Sequence, residues 1–294
     1  MSGSLLGRIA AAPISWGVCE VPGWGFQLTP ERVLGEMRAL GVVATEFGPD
    51  GFLPASPGDK SETLAGVGLK AVGGFVPIVL HDAESDPVPV IEAELDSFVA
   101  AGATRLVLSA DTGQVGYDSR PTLNESEWVT LLSNLDRLVQ SAAARGVVAS
   151  IHPHVGTMIE STDDVERVLN GSRIGLCLDT GHLLIGGTDP VELARNNAAR
   201  ISHVHLKDVR RDLAERVQRK ELTYTEAVRR GLYTPLGTGD IDIATIVNSL
   251  EAAGYAGYYV LEQDTILTEN PPAGSGPIAD VRTSIDFIVG LANT

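Results

Sequence analysis

The chain has 294 residues, 44% of them hydrophobic and 20% charged, which suits one large globular domain and leaves ample material for a core. Its formal charge of −16, from 22 basic and 38 acidic residues, repels polyanions, so neither nucleic acid nor an anionic membrane is an expected partner. No apolar run reaches the roughly 18 residues of a membrane span, the start "MSGSLLGRIAAAPISWG" lacks the regions of a signal peptide, and Cys19 and Cys177 make neither a disulfide framework nor a zinc-type pair, so a reducing cytoplasm is the expected location.

The first predicted strand is "RIAAAPI" from Arg8, and a loop follows it, "SWGVCEVPGWGFQL". A helix comes next in "TPERVLGEMRALG", with Thr29 as cap, Pro30 at the first helical position and Gly41 at the end. Strands are then predicted at "VVATEFG" from Val42, "KAVGGFVPI" from Lys70 and "TRLVLSA" from Thr104. The long amphipathic "NESEWVTLLSNLDRLVQSAAARG" leads to a fifth strand, "VVASIHPH" from Val147. "STDDVERVLNG" is a helix with a Ser/Thr–Asp start, followed by the strand "IGLCLDT" from Ile174, in which Cys177 is a small core residue. "RISHVHLKD" from Arg200 is the seventh strand. "DIATIVNSLEAAG" is the last helix before the eighth strand, "GYYVLEQD" from Gly257.

Each strand is almost continuously apolar, as a strand covered on both faces should be. Eight of them alternating with helices point to a parallel (β/α)8 TIM barrel in the α/β class, one domain over residues 1–294. A doubly wound sheet would need a G-x-G-x-x-G after its first strand, and the loop there has none. Residues 209–240 exceed an ordinary connection, and we read them as an insertion over the barrel mouth.

Chemistry in such a barrel sits at the C-terminal strand ends. There the sequence places Glu46, His81, His152, His154, Asp179, His182, His203, His205, Lys207, Asp208, Glu262, Gln263 and Asp264, so that all six histidines gather at one rim. Residues i and i+2 of a strand face the same way, which turns His152 with His154, and His203 with His205 and Lys207, to common sides. Imidazoles converging with Asp179 and Glu262 form a nitrogen and oxygen set suited to a first-row divalent ion. Taken singly, Asp179 could instead cap a helix and Glu262 could instead be a salt-bridged rim residue, but together with His205 the ligand reading is preferred. Glu46 could orient substrate or pair with a basic neighbour. Trp16 and Trp24 could wall a carbohydrate ring or pack in the core. The role of Cys19 and Glu20 stays open. "GTGD" (Gly237–Asp240) reads as turn chemistry rather than a phosphate cradle, and Lys207, Arg210 and Arg211 as a solvated basic patch. No G-x-S-x-G is present.

"LDTGH" (Leu178–His182), "HVHLKD" (His203–Asp208), "GTGDID" (Gly237–Asp242) and "VLEQD" (Val260–Asp264), in that order and spacing, resemble the motifs of the xylose isomerase-like TIM barrels. "APISW", "TEFGPDGFLP" and the His-x-His-x-Gly-Thr at strand five are similar to the inosose dehydratase branch of that family. The resemblance implies one divalent ion, Mn²⁺ or Co²⁺ before Zn²⁺ or Mg²⁺, held by Asp179, His205, Glu262 and His152. His152 stands where isomerases and epimerases of the family carry a glutamate. Substrate contacts fall to Glu46, Trp16, His81, His182 and Lys207.

A metal-bound imidazole has already given away its lone pair, so that departure counts against a two-glutamate epimerase. It favours a lyase working by α-proton abstraction and β-hydroxyl elimination, and the resemblance implies a cyclic polyol ketone, 2-keto-myo-inositol, as its substrate. Glu262 or Lys207 is then the base, and His154 or His182 the acid. A sugar isomerase or epimerase is the alternative. An endonuclease IV-like phosphodiesterase is disfavoured by the acidic charge. The expected partner is a small polyol or sugar, with a homodimer or homotetramer as the assembly to look for.

Overall fold

Apolar strands with no polar face must be covered on both sides, and the chain achieves this by closing its sheet and ringing it with helices. The structure is a computed structural model that describes residues 5–292, so the first four residues of the stretch read for a leader lie outside the described part. In chain order the elements are β1 (Ile9–Ala11), α1 (Pro30–Ala39), β2 (Ala44–Thr45), α2 (Pro57–Gly66), β3 (Lys70–Ala71), β4 (Gly73–Val79), α3 (Val88–Ala100), β5 (Arg105–Asp111), α4 (Glu125–Ala144), β6 (Val148–Ile151), α5 (Thr162–Gly171), β7 (Gly175–Asp179), α6 (Thr180–Ile185), α7 (Pro190–Asn196), β8 (Ile201–Leu206), β9 (Asp208–Val209), α8 (Arg211–Gln218), α9 (Tyr224–Arg229), β10 (Tyr233–Thr234), α10 (Ile243–Ala252), β11 (Tyr259–Leu261) and α11 (Pro277–Leu291).

The main sheet is parallel throughout and runs β3-β2-β1-β11-β8-β7-β6-β5-β4. Its two end strands, β3 and β4, are halves of the single predicted strand "KAVGGFVPI". The sequence reads that strand as continuous; the structure breaks it at Val72. Val72 donates its N–H to the Thr45 carbonyl at 2.9 Å, and its own carbonyl accepts from Arg105 N at 3.1 Å. One residue thus joins the two sheet ends and brings the barrel round to near closure.

Gly73 makes the joint possible. Its φ is +157°, and a Cβ there would lie 1.7 Å from the Arg105 carbonyl oxygen. Gly73→Ala is therefore expected to destabilise the fold by about 3 kcal/mol or more. Urea unfolding of the variant checks this, and a loss below about 0.5 kcal/mol would contradict the account.

Helix starts follow local chemistry. Asn124 and Glu127 form a capping box on α4, Ser161 and Asp164 one on α5, and Asp242 caps α10 through Thr245 N. Thr29 precedes α1 without a side-chain cap bond, leaving Pro30 to set the start. Between helices and sheet lies the main core, while Ala10, Ala12, Ala44, Val72 and Val260 form a small separate cluster. Alternation along β1, β2 and β11 assigns Ala10, Ala12, Ala44 and Val260 to the barrel interior, and Val72 packs with them. Small residues there leave room for longer side chains reaching across.

The 209–240 segment forms α8 and α9, and the short antiparallel pair β9–β10 ties its ends together. "GTGD" is indeed turn chemistry, and its amides hold an anion from the protein itself. Gly237 N and Gly239 N both donate to Asp208 Oδ2 at 2.9 Å, while Val209 N and Ile241 N donate to Oδ1 at 2.9 and 3.1 Å.

Candidate metal centre and active site

Four strand ends meet inside the barrel. His152 follows β6, Asp179 closes β7, His205 lies in β8 and Glu262 follows β11; each offers a ligand atom, and these atoms all lie within 4.8 Å of one another. All four residues are buried. His152 Nε2 is 3.2 Å from Asp179 Oδ2, and His205 Nδ1 is 2.7 Å from Glu262 Oε2 and 3.7 Å from Asp179 Oδ2. Yet neither His205 Nδ1 nor Glu262 Oε2 has a hydrogen-bond partner. Two close, buried polar atoms without a hydrogen bond are what a shared cation between them would satisfy. The donors fit a divalent ion.

Asp179 resolves the choice between cap and ligand by doing both. Its Oδ1 accepts from Gly181 N at 3.0 Å and His182 N at 2.8 Å, capping α6. Its Oδ2 is left facing His152, His205 and Lys207. Burial opposes its charge, but Lys207, His182 and the imidazole bonds outweigh that and hold its pKa well below the usual value.

Lys207 Nζ lies 2.7 Å from Asp264 Oδ1, 3.1 Å from Glu262 Oε2 and 3.4 Å from Asp179 Oδ2. Burial would neutralise it, but these carboxylates overcome burial and raise its pKa well above normal. It is an ammonium, and it also sits 3.1 Å from His182 Nε2. Burial likewise works against a charge on His205, yet Cys177, Glu262, Glu46 and Asp179 lift its pKa well above the ordinary value. The centre is rich in negative charge, and a bound cation would meet that excess without a proton on His205.

His154 and His182 stack with ring centroids 3.7 Å apart. Burial, and then each ring's imidazole neighbours and Lys207, lower both pKa values well below normal. His154 Nδ1 lies 2.7 Å from the Val155 carbonyl, which can only accept, so Nδ1 carries the proton and Nε2 the lone pair.

A cavity of about 340 Å³ opens above the centre. Glu46, His152, His154, Lys207 and Glu262 line it, while Asp179, His182 and His205 lie buried below or behind. Three of the residues expected to touch substrate are absent from the lining: His182, which stacks on His154, and two others. Trp16 is buried elsewhere, its Nε1 donating to Glu36 Oε2 at 2.8 Å, and His81 stands beyond β4 outside the lining. Trp24 does reach the cavity.

Other residues complete the site. Asp264 lines the cavity and pairs with Lys207, and the Tyr224 hydroxyl donates to it. Tyr233 places its ring 5.4 Å from Lys207 Nζ and its hydroxyl 3.1 Å from that of Tyr224. Tyr117, after β5, sits 4.4 Å from the His154 ring and donates to Glu20 at 2.5 Å across the mouth. Asp264 is among the strand-end residues read from the sequence, and parity puts it on the side of Glu262. No local pattern marks the tyrosines, which reach the site only because their segments fold back over it.

Residues 84–288 match the family model described as the xylose isomerase-like TIM barrel. An inosose dehydratase of Geobacillus kaustophilus is 32% identical, over 97% of this chain and 95% of that protein. The rhizopine catabolism protein MocC of Rhizobium meliloti is 34% identical, over 97% of this chain and 88% of that protein. A solved structure of L-ribulose 3-epimerase shares the fold, with a TM-score of 0.68 at 17% identity over 97% of this chain and 94% of that one.

Proposed function

Because the chain belongs to the xylose isomerase-like TIM barrel family, we propose that it is a divalent-metal-dependent enzyme that dehydrates a cyclic polyol ketone, with 2-keto-myo-inositol as the expected substrate. The observation that carries this reading is the buried set of His152, Asp179, His205 and Glu262 beside a cavity whose lining offers Lys207 as its cation. The names of the similar proteins from Geobacillus and other bacteria support the substrate class.

His152, Asp179, His205 and Glu262 would hold the ion, with Mn²⁺ or Co²⁺ expected. When bound, it supplies a Lewis acid that polarises the ketone and acidifies the neighbouring C–H. Glu262 is the carboxylate of the set that lines the cavity, and it takes the α-proton. The electron pair released moves toward the carbonyl and then expels the β-hydroxyl, which leaves as water once protonated. Lys207 is the proton donor on this reading, since it is the cation in the cavity lining and its Nζ lies 3.1 Å from Glu262 Oε2. His154, with its proton committed to the Val155 carbonyl, accepts a hydrogen bond from a substrate hydroxyl. Of the sequence-derived alternatives, this keeps Glu262 as base and moves the acid role from His154 or His182 to Lys207.

The lining also argues for an unphosphorylated substrate. Glu20, Asp50 and Glu94 lie on the cavity, and Lys207 is already paired with three carboxylates. Arg210 is exposed and paired with Asp212 at 3.1 Å, away from the lining.

The test is incubation with Mn²⁺ or Co²⁺ and 2-keto-myo-inositol, following dione absorbance, alongside ion content per chain. Dione formation with one ion per chain is expected, with no competition from a phosphorylated polyol. Absence of dione together with epimerisation of a free ketose would overturn the dehydratase reading.

A further inference from the structure

Glu46 lies next to the four-residue set without belonging to it, and forms with His203 and His205 a second close group that shares His205. It follows β2 and is buried, 3% exposed. Between β2 and β8 the sheet places β1 and β11. Glu46 nevertheless reaches β8, across the interior that the alanines of β1 leave free. Its Oε1 lies 2.7 Å from His203 Nε2 and 3.0 Å from His205 Nε2. A carboxylate only accepts, so both Nε2 atoms carry protons. For a neutral His205 that leaves the lone pair on Nδ1, the atom that faces Glu262 and Asp179 with no hydrogen-bond partner.

We propose that Glu46 is a positioning residue: it fixes the ring and tautomer of His205 so that Nδ1 is presented to the divalent ion, and His203 anchors the same carboxylate oxygen. This rests on the metal reading above. It gives Glu46 a role distinct from holding substrate, and it explains why β8 carries His203, whose other nitrogen is buried without a partner. Outer partners of metal-ligating histidines commonly act this way, and their loss costs about 10–100-fold in ion affinity.

The test is competition of Zn²⁺ against a chelator for the wild type, Glu46→Gln and His203→Phe, together with ¹⁵N imidazole spectra of the Zn²⁺-loaded protein. Glu46→Gln keeps the shape and removes the charge. It is expected to weaken Zn²⁺ by about 10–100-fold, with a smaller loss for His203→Phe, which leaves the Glu46–His205 bond. In the wild type, His205 is expected to bind Zn²⁺ through Nδ1 and to show a downfield Nε2–H proton that moves upfield in Glu46→Gln. Zn²⁺ affinity within about twofold of wild type in Glu46→Gln, or Zn²⁺ on His205 Nε2, would overturn the proposal while leaving the metal reading intact. A wild type that takes up no ion would overturn both. Should Glu46→Gln fail to fold, the wild-type spectrum decides by the nitrogen that carries the ion.

Discussion

Glu262→Gln is expected to lower kcat/KM for the dehydration by about 10²–10⁴-fold, the range that loss of a positioned base produces. Glutamine keeps the volume and one carbonyl oxygen, so the barrel has no reason to repack. What changes is charge and donor sense. Oε2 now stands 2.7 Å from His205 Nδ1 and 3.1 Å from Lys207 Nζ. An amide NH₂ in its place would turn a donor toward an ammonium and a bound cation, and the other rotamer would turn it into the cavity. Neither gives a group able to take a proton from carbon. Asp179, His152 and His205 remain, so some ion binding should survive. Steady-state kinetics and ion content of the same preparation provide the measurement. A variant within about threefold of wild type would show that the proton goes elsewhere.

Asp208→Ala is expected to cost about 3–5 kcal/mol of stability, more than any single surface change would. The carboxylate accepts from the amides of Val209, Gly237, Gly239 and Ile241, and the residue is fully buried. Alanine leaves those amides without an acceptor, and each orphan donor carries a desolvation penalty. At roughly 2 °C per kcal/mol for a chain of this size, Tm should fall by about 6–10 °C. The loss should not be confined to one loop. β9 begins at Asp208, and its partner strand β10 carries Tyr233 to the site. Thermal unfolding by circular dichroism checks the prediction, and a Tm change below about 2 °C would mean that water replaces the carboxylate.

The barrel and the order of its strands were legible because they rest on local periodicity, and the family because four short motifs keep their order and spacing. A strand covered on both faces is apolar at every position, a helix shows its stripe and its cap, and both signals lie within a dozen residues. Parity along β8 likewise pairs His203 with His205 and Lys207 without any knowledge of neighbours. The break at Val72 was not legible. "KAVGGFVPI" contains nothing that says its first half pairs with β2 and its second with β5; that follows from the need to join the two sheet ends.

The sequence by itself therefore determined which residues could supply donors and on which strand faces they stand. Only the tertiary structure decided which atom meets which. Asp179 serves as cap and as candidate ligand because its oxygens face different neighbours. Trp16 turns to Glu36 rather than the cavity. Glu46 finds His203 at 157 positions' separation along the chain, and Tyr224 finds Asp264 at 40. The reason is range. Apolar burial and backbone bonding act on every residue and leave a repeating trace, whereas a hydrogen bond between two buried side chains depends on one convergence in space that no repeat encodes.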